Sequence, residues 1–339
     1  MRAAIVNPYF DTLGGGERYT LAVATTLRDE GYNVSLEWKD ESIKKKLEER
    51  FGIDLTGIQI VDDVKRGDGY DVCFWVSDGS IPTLKARKNI LHFQVPFHDV
   101  NGKTLINKMK LFRINKVICN SHFTKKVIDE EFGISSEVVY PPVSVGTIKP
   151  KRKENIILFV GRFSQLKQSK NQDILVAAFR KFYNKDHKEW KMVLCGGTEV
   201  GGKEYLEELK KEAKCFPIEF VENPPFKVVA DLYGRAKIFW SAVGYGAKPS
   251  EPEKVEHFGI TVVEAMAAGA TPVVYDAGGY KESVENGVNG YRWNKVSELI
   301  KLTEKIIDKK EYVKMSKAGA EKSKKYSYQE FSNEFKKYL

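Results

Sequence analysis

The run Glu256-His257-Phe258-Gly259-Ile260-Thr261-Val262-Val263-Glu264-Ala265-Met266-Ala267-Ala268-Gly269 decides how the chain is read. Ile260, Val263, Met266 and Ala267 recur at helical spacing, and Gly269 ends the run. Thr271 to Tyr275 then reads as a strand. Glu256 therefore precedes a helix, and Glu264 lies on it, more than one turn in. Gly259 at the mouth lets a ligand approach the backbone. The free amides of a first helical turn attract anions. An ionised glutamate only accepts hydrogen bonds, so two of them beside an anion site call for a ligand with hydroxyls as well as phosphate. Sugar and ribose hydroxyls meet that demand.

Working outward, Ile156 to Val160 reads as a strand, followed by Gly161-Arg162-Phe163, then Lys167, Lys170 and Asn171, then a helix over 173–179. An arginine and a lysine between a strand end and a helix suit a diphosphate clamp. Together these runs resemble the retaining glycosyltransferases of family 4, in the Glu-seven-Glu spacing with His-Phe-Gly inside it and in Gly-Arg-Phe…Lys-Asn-Gln. The resemblance covers nearly the whole chain. It implies an α/β protein of the GT-B fold, with two Rossmann-like domains of parallel sheet facing a cleft. It also implies transfer of a hexose from a nucleotide diphosphate sugar to an acceptor hydroxyl. Arg162 and Lys170 (Lys167 as the alternative) would hold the diphosphate, with Gly259 and Ile260 at the helix start. Glu264 would hold the ribose, and Glu256 would orient the sugar. Final helices in this family cross back onto the first domain.

The first half carries the same theme. Ala3 to Val6 reads as a buried strand, and a loop ending in Gly14-Gly15-Gly16 leads into a helix from Glu17 to Leu27 and a strand over Val34 to Trp38. Three glycines before a helix make a backbone-lined anion site, so Gly15 and Gly16 are nucleotide-sugar candidates. The Gly-x-Gly-x-x-Gly dinucleotide fingerprint is absent. Gly-Gly-Gly-Glu-Arg and Glu-His-Phe-Gly-Ile resemble the mannosyltransferases that extend dolichol-linked oligosaccharides, which points to guanosine diphosphate mannose. Further strands are read at 72–76, 89–93, 116–120 and 138–143. Polar residues follow the buried runs, and His92, Gln94 and His98 are acceptor-side or sugar-side candidates; a lone histidine is more often a structural residue.

The expected division is 1–143 for the acceptor-side domain, 144–155 for a linker, 156–322 for the donor domain and 323–339 for the helix that returns to the first domain. The length of 339 residues fits two domains. The net charge is +9, and it is uneven: residues 1–143 carry 20 basic and 20 acidic side chains, the remainder 35 and 26. No aromatic–basic nucleic-acid signature appears, so no nucleic-acid partner is expected. Between Asp99 and Asp129 there is no acid, while seven Lys or Arg lie there. Leu105, Ile106, Met109 and Phe112 share helical spacing with them. Such a segment suits either an anionic membrane surface or packing on a sheet. Cys73, Cys119, Cys195 and Cys215 show no metal or disulfide spacing, and the start of the chain does not resemble a signal peptide. A cytoplasmic protein is expected, with a peripheral place at the inner face of a membrane as the alternative that the basic segment leaves open. No Asp-x-Asp is placed for a diphosphate metal; Asp62-Asp63 sits on a loop of the first half. No metal and no cofactor are expected, the nucleotide sugar being substrate. The rival readings are a nucleotide-sugar enzyme using a dinucleotide, and a basic non-enzymatic module binding membrane or nucleic acid.

Overall fold

A computed structural model describes residues 1–339 apart from Leu13, Leu166, Lys167, Glu199 and Val200. The chain forms two units, Met1–Pro142 with Tyr328–Leu339, and Val143–Ser327.

The first unit holds β1 (Arg2–Val6), α1 (Gly15–Asp29), β2 (Asn33–Glu37), α2 (Ile43–Phe51), β3 (Ile58–Val61), β4 (Val72–Val76), β5 (Lys88–Phe93), α3 (Leu105–Leu111), β6 (Lys116–Cys119), α4 (His122–Phe132) and β7 (Glu137–Val138). Its sheet is parallel in the order β3-β2-β1-β4-β5-β6-β7. Ala3, Ala4 and Ile5 on the central strand have no exposed surface, as a strand covered on both faces requires. The second unit holds β8 (Glu154–Val160), α5 (Gln172–Tyr183), β9 (Lys191–Gly196), α6 (Gly202–Ala213), β10 (Ile218–Glu222), α7 (Phe226–Arg235), β11 (Ala236–Ser241), α8 (Ile260–Ala267), β12 (Thr271–Tyr275), α9 (Tyr280–Ser283), β13 (Tyr291–Trp293), α10 (Val296–Ile307) and α11 (Lys309–Ser323). Its sheet is parallel too, in the order β10-β9-β8-β11-β12-β13. Both are doubly wound, Rossmann-like sheets. In such sheets ligands bind beyond the strand C-termini where the strand order reverses. In the second unit that point lies between β8 and β11, so the loops after these two strands frame the site.

The last helix, α12 (Tyr328–Lys336), belongs to the first unit. Phe331 and Phe335 are buried there, with ring centroids 4.9 Å from Tyr19 and 5.9 Å from Phe74 respectively. Two buried phenylalanines contribute about 3–6 kcal/mol of apolar burial, enough to anchor a short helix.

Three boundaries differ from the expected ones. The stretch read as a linker is part of the second unit: the Val143 amide donates to Tyr326 O at 2.7 Å, and the Lys151 amide to Gly234 O at 3.1 Å. The strand expected over 138–143 is only Glu137–Val138, because the prolines at 141 and 142 carry no amide for a ladder. The final helix starts at Tyr328, after a tight turn over Lys324–Tyr326. Among the described residues no helix is long and apolar enough to cross a membrane.

Candidate active site

The loop after β8 reaches the loop after β11 through three side chains. Gln168 Nε2 donates to Val255 O at 2.7 Å. Asn171 Nδ2 donates to Ala242 O at 2.9 Å and to Tyr245 O at 3.2 Å. Lys170 Nζ donates to Gln168 Oε1 at 2.8 Å and lies 3.3 Å from Glu256 Oε2. Lys170 and Glu256, 86 residues apart, thus meet with side chains only 14% and 17% exposed. Arg162 is exposed, and its carbonyl accepts from Gln172 Nε2 at 2.8 Å, which fixes the backbone that carries it. Lys167 lies outside the described residues.

Gly259 opens α8 with φ +95, a left-handed conformation. A Cβ there would fall 2.6 Å from the Tyr280 ring and 3.4 Å from Glu256 Cγ, so only glycine fits this turn. Among the described residues no side chain caps α8. The helix dipole makes this start favourable for an anion. Glu256 is held by its own backbone, whose carbonyl takes the Gly279 amide at 2.7 Å. Tyr280 and Ser241 share a buried hydroxyl–hydroxyl bond of 2.7 Å, and burial, with the Glu256 charge added, pushes the Tyr280 phenol well above its usual range. His257 Nε2 lies 3.3 Å from Glu253 O. Glu264 is 4% exposed, and its Oε2 accepts from the Tyr233 hydroxyl at 3.0 Å. It sits one turn behind the helix start, braced by Tyr233.

The first unit treats its glycine loop differently. Gly15 and Gly16 form the first turn of α1, but the Glu17 carboxylate accepts from the Gly14 amide at 2.6 Å and from Thr12 Oγ1 at 2.9 Å. Burial raises the Glu17 carboxyl above its ordinary range. Gln94 Nε2 donates to Gly16 O at 3.1 Å, which brings Gln94 to this loop. His92 lies in the core of the first unit. It is fully buried, its Nδ1 lies 3.0 Å from Ile118 O, its ring stacks on Tyr19 at 4.0 Å, and burial lowers its pKa to about 3. It is a neutral core histidine, which corrects its reading as a sugar-side residue. His98 pairs with Asp99, Nδ1 to Oδ2, at 2.9 Å on a loop.

Sequence reasoning overlooked Gln168, Tyr233, Tyr280 and Glu17. A glutamate three residues past a helix start is a capping signal, and it was legible at Gly14 and Glu17. The other three carry no local pattern.

Two doubly wound parallel units of this kind define the GT-B architecture of glycosyltransferases. The chain belongs to the family "Glycosyl transferases group 1", whose model matches residues 146–325. It is 28% identical over 244 residues to the GDP-Man:Man(3)GlcNAc(2)-PP-Dol alpha-1,2-mannosyltransferase of Dictyostelium discoideum, covering 68% of this chain and 47% of that protein. It is 26% identical over 220 residues to the alpha-1,3/1,6-mannosyltransferase ALG2 of Saccharomyces cerevisiae, covering 55% and 43%. The chain thus spans about half the length of these two curated relatives. The solved structure of Anabaena HepE in complex with UDP shares the fold, with a TM-score of 0.79 at 18% identity, covering 99% of both chains.

Proposed function

We propose that this chain is a retaining hexosyltransferase that works without a metal ion, takes guanosine diphosphate mannose as donor, and transfers to a hydroxyl of a lipid-linked glycan. The observation that carries this reading is the Lys170–Glu256 pair at 3.3 Å beside the uncapped start of α8. Both its residues lie in the segment that matches the family. Arg162 and Lys170 neutralise the leaving diphosphate, and the amides at Gly259 and Ile260 add fixed dipoles. Glu256 orients the sugar ring. Glu264, braced by Tyr233, accepts from the ribose. The bond from the anomeric carbon to phosphate oxygen breaks as the acceptor oxygen bonds on the same face. The acceptor proton passes to the departing phosphate oxygen. The donor and acceptor follow the mannosyltransferase relatives, whose names specify GDP-Man and a PP-Dol glycan.

The test is proton NMR of fresh product from guanosine diphosphate mannose and a dolichol-type glycan, with and without chelator. An α-linked product at an unchanged rate is expected. A β-product, a rate restored only by Mg²⁺ or Mn²⁺, or turnover of uridine diphosphate sugars alone would each overturn the corresponding part.

A second observation favours work at an anionic membrane surface. In α3 no residue is buried, and Leu105, Ile106, Met109 and Phe112 are 75%, 67%, 67% and 92% exposed. The loop before α3 is held by Glu131, whose carboxylate accepts from the Asp99, Val100 and Gly102 amides at 2.8–3.2 Å. The chain after it is held by Arg113 Nε on Leu84 O at 3.0 Å. The helix is thus pinned at both ends with its apolar face outward, and Lys103, Lys108, Lys110 and Arg113 surround it. Each such cation adds about 1 kcal/mol near an anionic leaflet. Sedimentation with phosphatidylserine vesicles should be lost on reversing three of these charges; equal sedimentation would refute the idea.

A further inference from the structure

Lys153 stands immediately before β8, half-buried. Its Nζ donates to three carbonyl oxygens, Ala268 at 2.6 Å, Ala236 at 2.8 Å and Tyr233 at 3.3 Å. Ala268 is the C-cap of α8, Ala236 is the C-cap of α7, and Tyr233 lies in the last turn of α7. One ammonium therefore closes the C-terminal ends of two helices, with all three of its donors spent on carbonyls. The acids nearby are engaged elsewhere. Asp231 pairs with Lys151 and Arg235, both at 2.7 Å, Glu154 pairs with Arg235 at 3.2 Å, and Glu264 accepts from Tyr233. The next carbonyl of the α8 end, Gly269 O, is taken by Tyr312 OH and Ser316 Oγ at 2.8 Å each.

Both helices carry groups of the site. α8 presents its N-terminus at Gly259 and carries Glu264, and α7 carries the Tyr233 hydroxyl that holds Glu264. A helix of eight residues is about 12 Å long, so a cation at its C-terminus stands behind whatever binds its N-terminus. It also offsets the negative end of the helix dipole, leaving the positive end less opposed.

We propose that Lys153 is a positioning residue of the donor site, which fixes α7 and α8 from behind and supplies a semi-buried positive charge that strengthens the hold of α8 on a nucleoside diphosphate. The proposal rests on the reading of α8 as the diphosphate site. Burial brings the Lys153 ammonium down to about 7, so its charge is available for titration near neutrality, and an arriving diphosphate raises its proton affinity.

The experiment is calorimetry with guanosine diphosphate on wild type, K153M and K153Q, with K151M as a surface control. K153Q keeps donors for the carbonyls but not the charge. Both Lys153 variants should bind about tenfold more weakly, with a raised donor KM, a nearly unchanged kcat and unaltered K151M. The affinity ratio of wild type to K153Q should fall toward one as pH rises from about 6.5 to about 8.5, as the charge is lost. Equal affinity in wild type and both variants, or a ratio flat with pH, overturns the role of Lys153. Wild-type affinity in K153Q with a loss only in K153M overturns the role of the charge. A wild type that binds no nucleoside diphosphate overturns the functional reading of α8 itself, which is a separate failure. If neither variant folds, wild-type titrations in two buffers of different ionisation enthalpy decide: proton uptake on binding at about pH 7.5 supports the proposal, and its absence overturns it.

Discussion

α1 and α8 both begin at glycine turns beyond a strand of a doubly wound sheet, yet their first turns are completed in opposite ways. At α1 the protein supplies its own anion: Glu17 sits on the Gly14 amide and on Thr12, while Gln94 reaches Gly16. At α8 no side chain among the described residues takes that place, and the charges nearby come as the Lys170–Glu256 pair. A glycine-rich turn is therefore not an anion site by composition. What decides is whether a carboxylate three residues later folds back onto the amides. The difference extends to the surroundings. Tyr19 on α1 stacks on a fully buried neutral His92, whereas Tyr280 beside α8 faces the Glu256 charge.

The largest expected effect falls on the pair at α8. Lys170→Met should lower the transfer rate about 10²- to 10³-fold, the usual cost of one preorganised charge-stabilising donor, and it leaves Glu256 without its cation. Steady-state kinetics check this. A loss under threefold would remove the ground for contrasting the two helix starts. Next is the acid limb of stability. The folded His92 pKa is about 3 against an unfolded 6.5, so between these values the unfolded chain binds a proton that the folded one refuses. Stability falls as pH drops through that window, by about 3 kcal/mol at pH 4. His92→Phe should flatten the limb in urea melts at several pH values; an unchanged limb would show that other groups set it.

Much of this contrast was legible beforehand. The two parallel halves followed from buried strand runs alternating with helical spacing, and Glu256, Gly259 and Glu264 stood out because a short motif keeps them within one loop and two helical turns. The pairing of Lys170 with Glu256 and of Tyr233 with Glu264 was not, because each spans dozens of residues and depends on how loops cross the sheet end. His92 shows the same limit: in Asn89-Ile90-Leu91-His92-Phe93 nothing tells a core imidazole from one at the strand mouth. The spacing of Glu17 from Gly14 carries a capping signal, but Glu17 reads first as a member of the helix that it caps.

The glycines themselves give the third test. Gly259→Ala places a Cβ at φ +95 and 2.6 Å from a buried ring, with about 3 kcal/mol lost and Tm lower by about 10 °C. Gly16→Ala meets Gln94 Oε1 at 2.0 Å, but that atom ends a flexible side chain and can swing away, and alanine favours the helix. Its melting temperature should stay within about 2 °C of wild type. Similar losses in both would mean that the α1 turn is as rigidly built as the α8 turn.

The smallest expected effect concerns the carboxylate that closes α1. The Glu17 pKa is raised in the folded protein, with burial the largest cause and hydrogen bonds from Gly14 and Thr12 opposing it. A raised acid holds its proton more tightly folded than unfolded, so its contribution to stability is greatest below about 4.5 and declines as pH rises through the folded value. Glu17→Gln keeps an oxygen for the Gly14 amide and removes that decline. It should change stability by about 1 kcal/mol or less at neutral pH, the scale of a single helix cap, with a flatter profile above pH 4.5. It should also leave guanosine diphosphate affinity within twofold, because the anion site assigned here is at α8. Chemical denaturation across pH measures the first effect, and calorimetry the second. Several-fold tighter nucleotide binding in Glu17→Gln would break the contrast, since it would show that phosphate meets the start of α1 and that Glu17 had been repelling it.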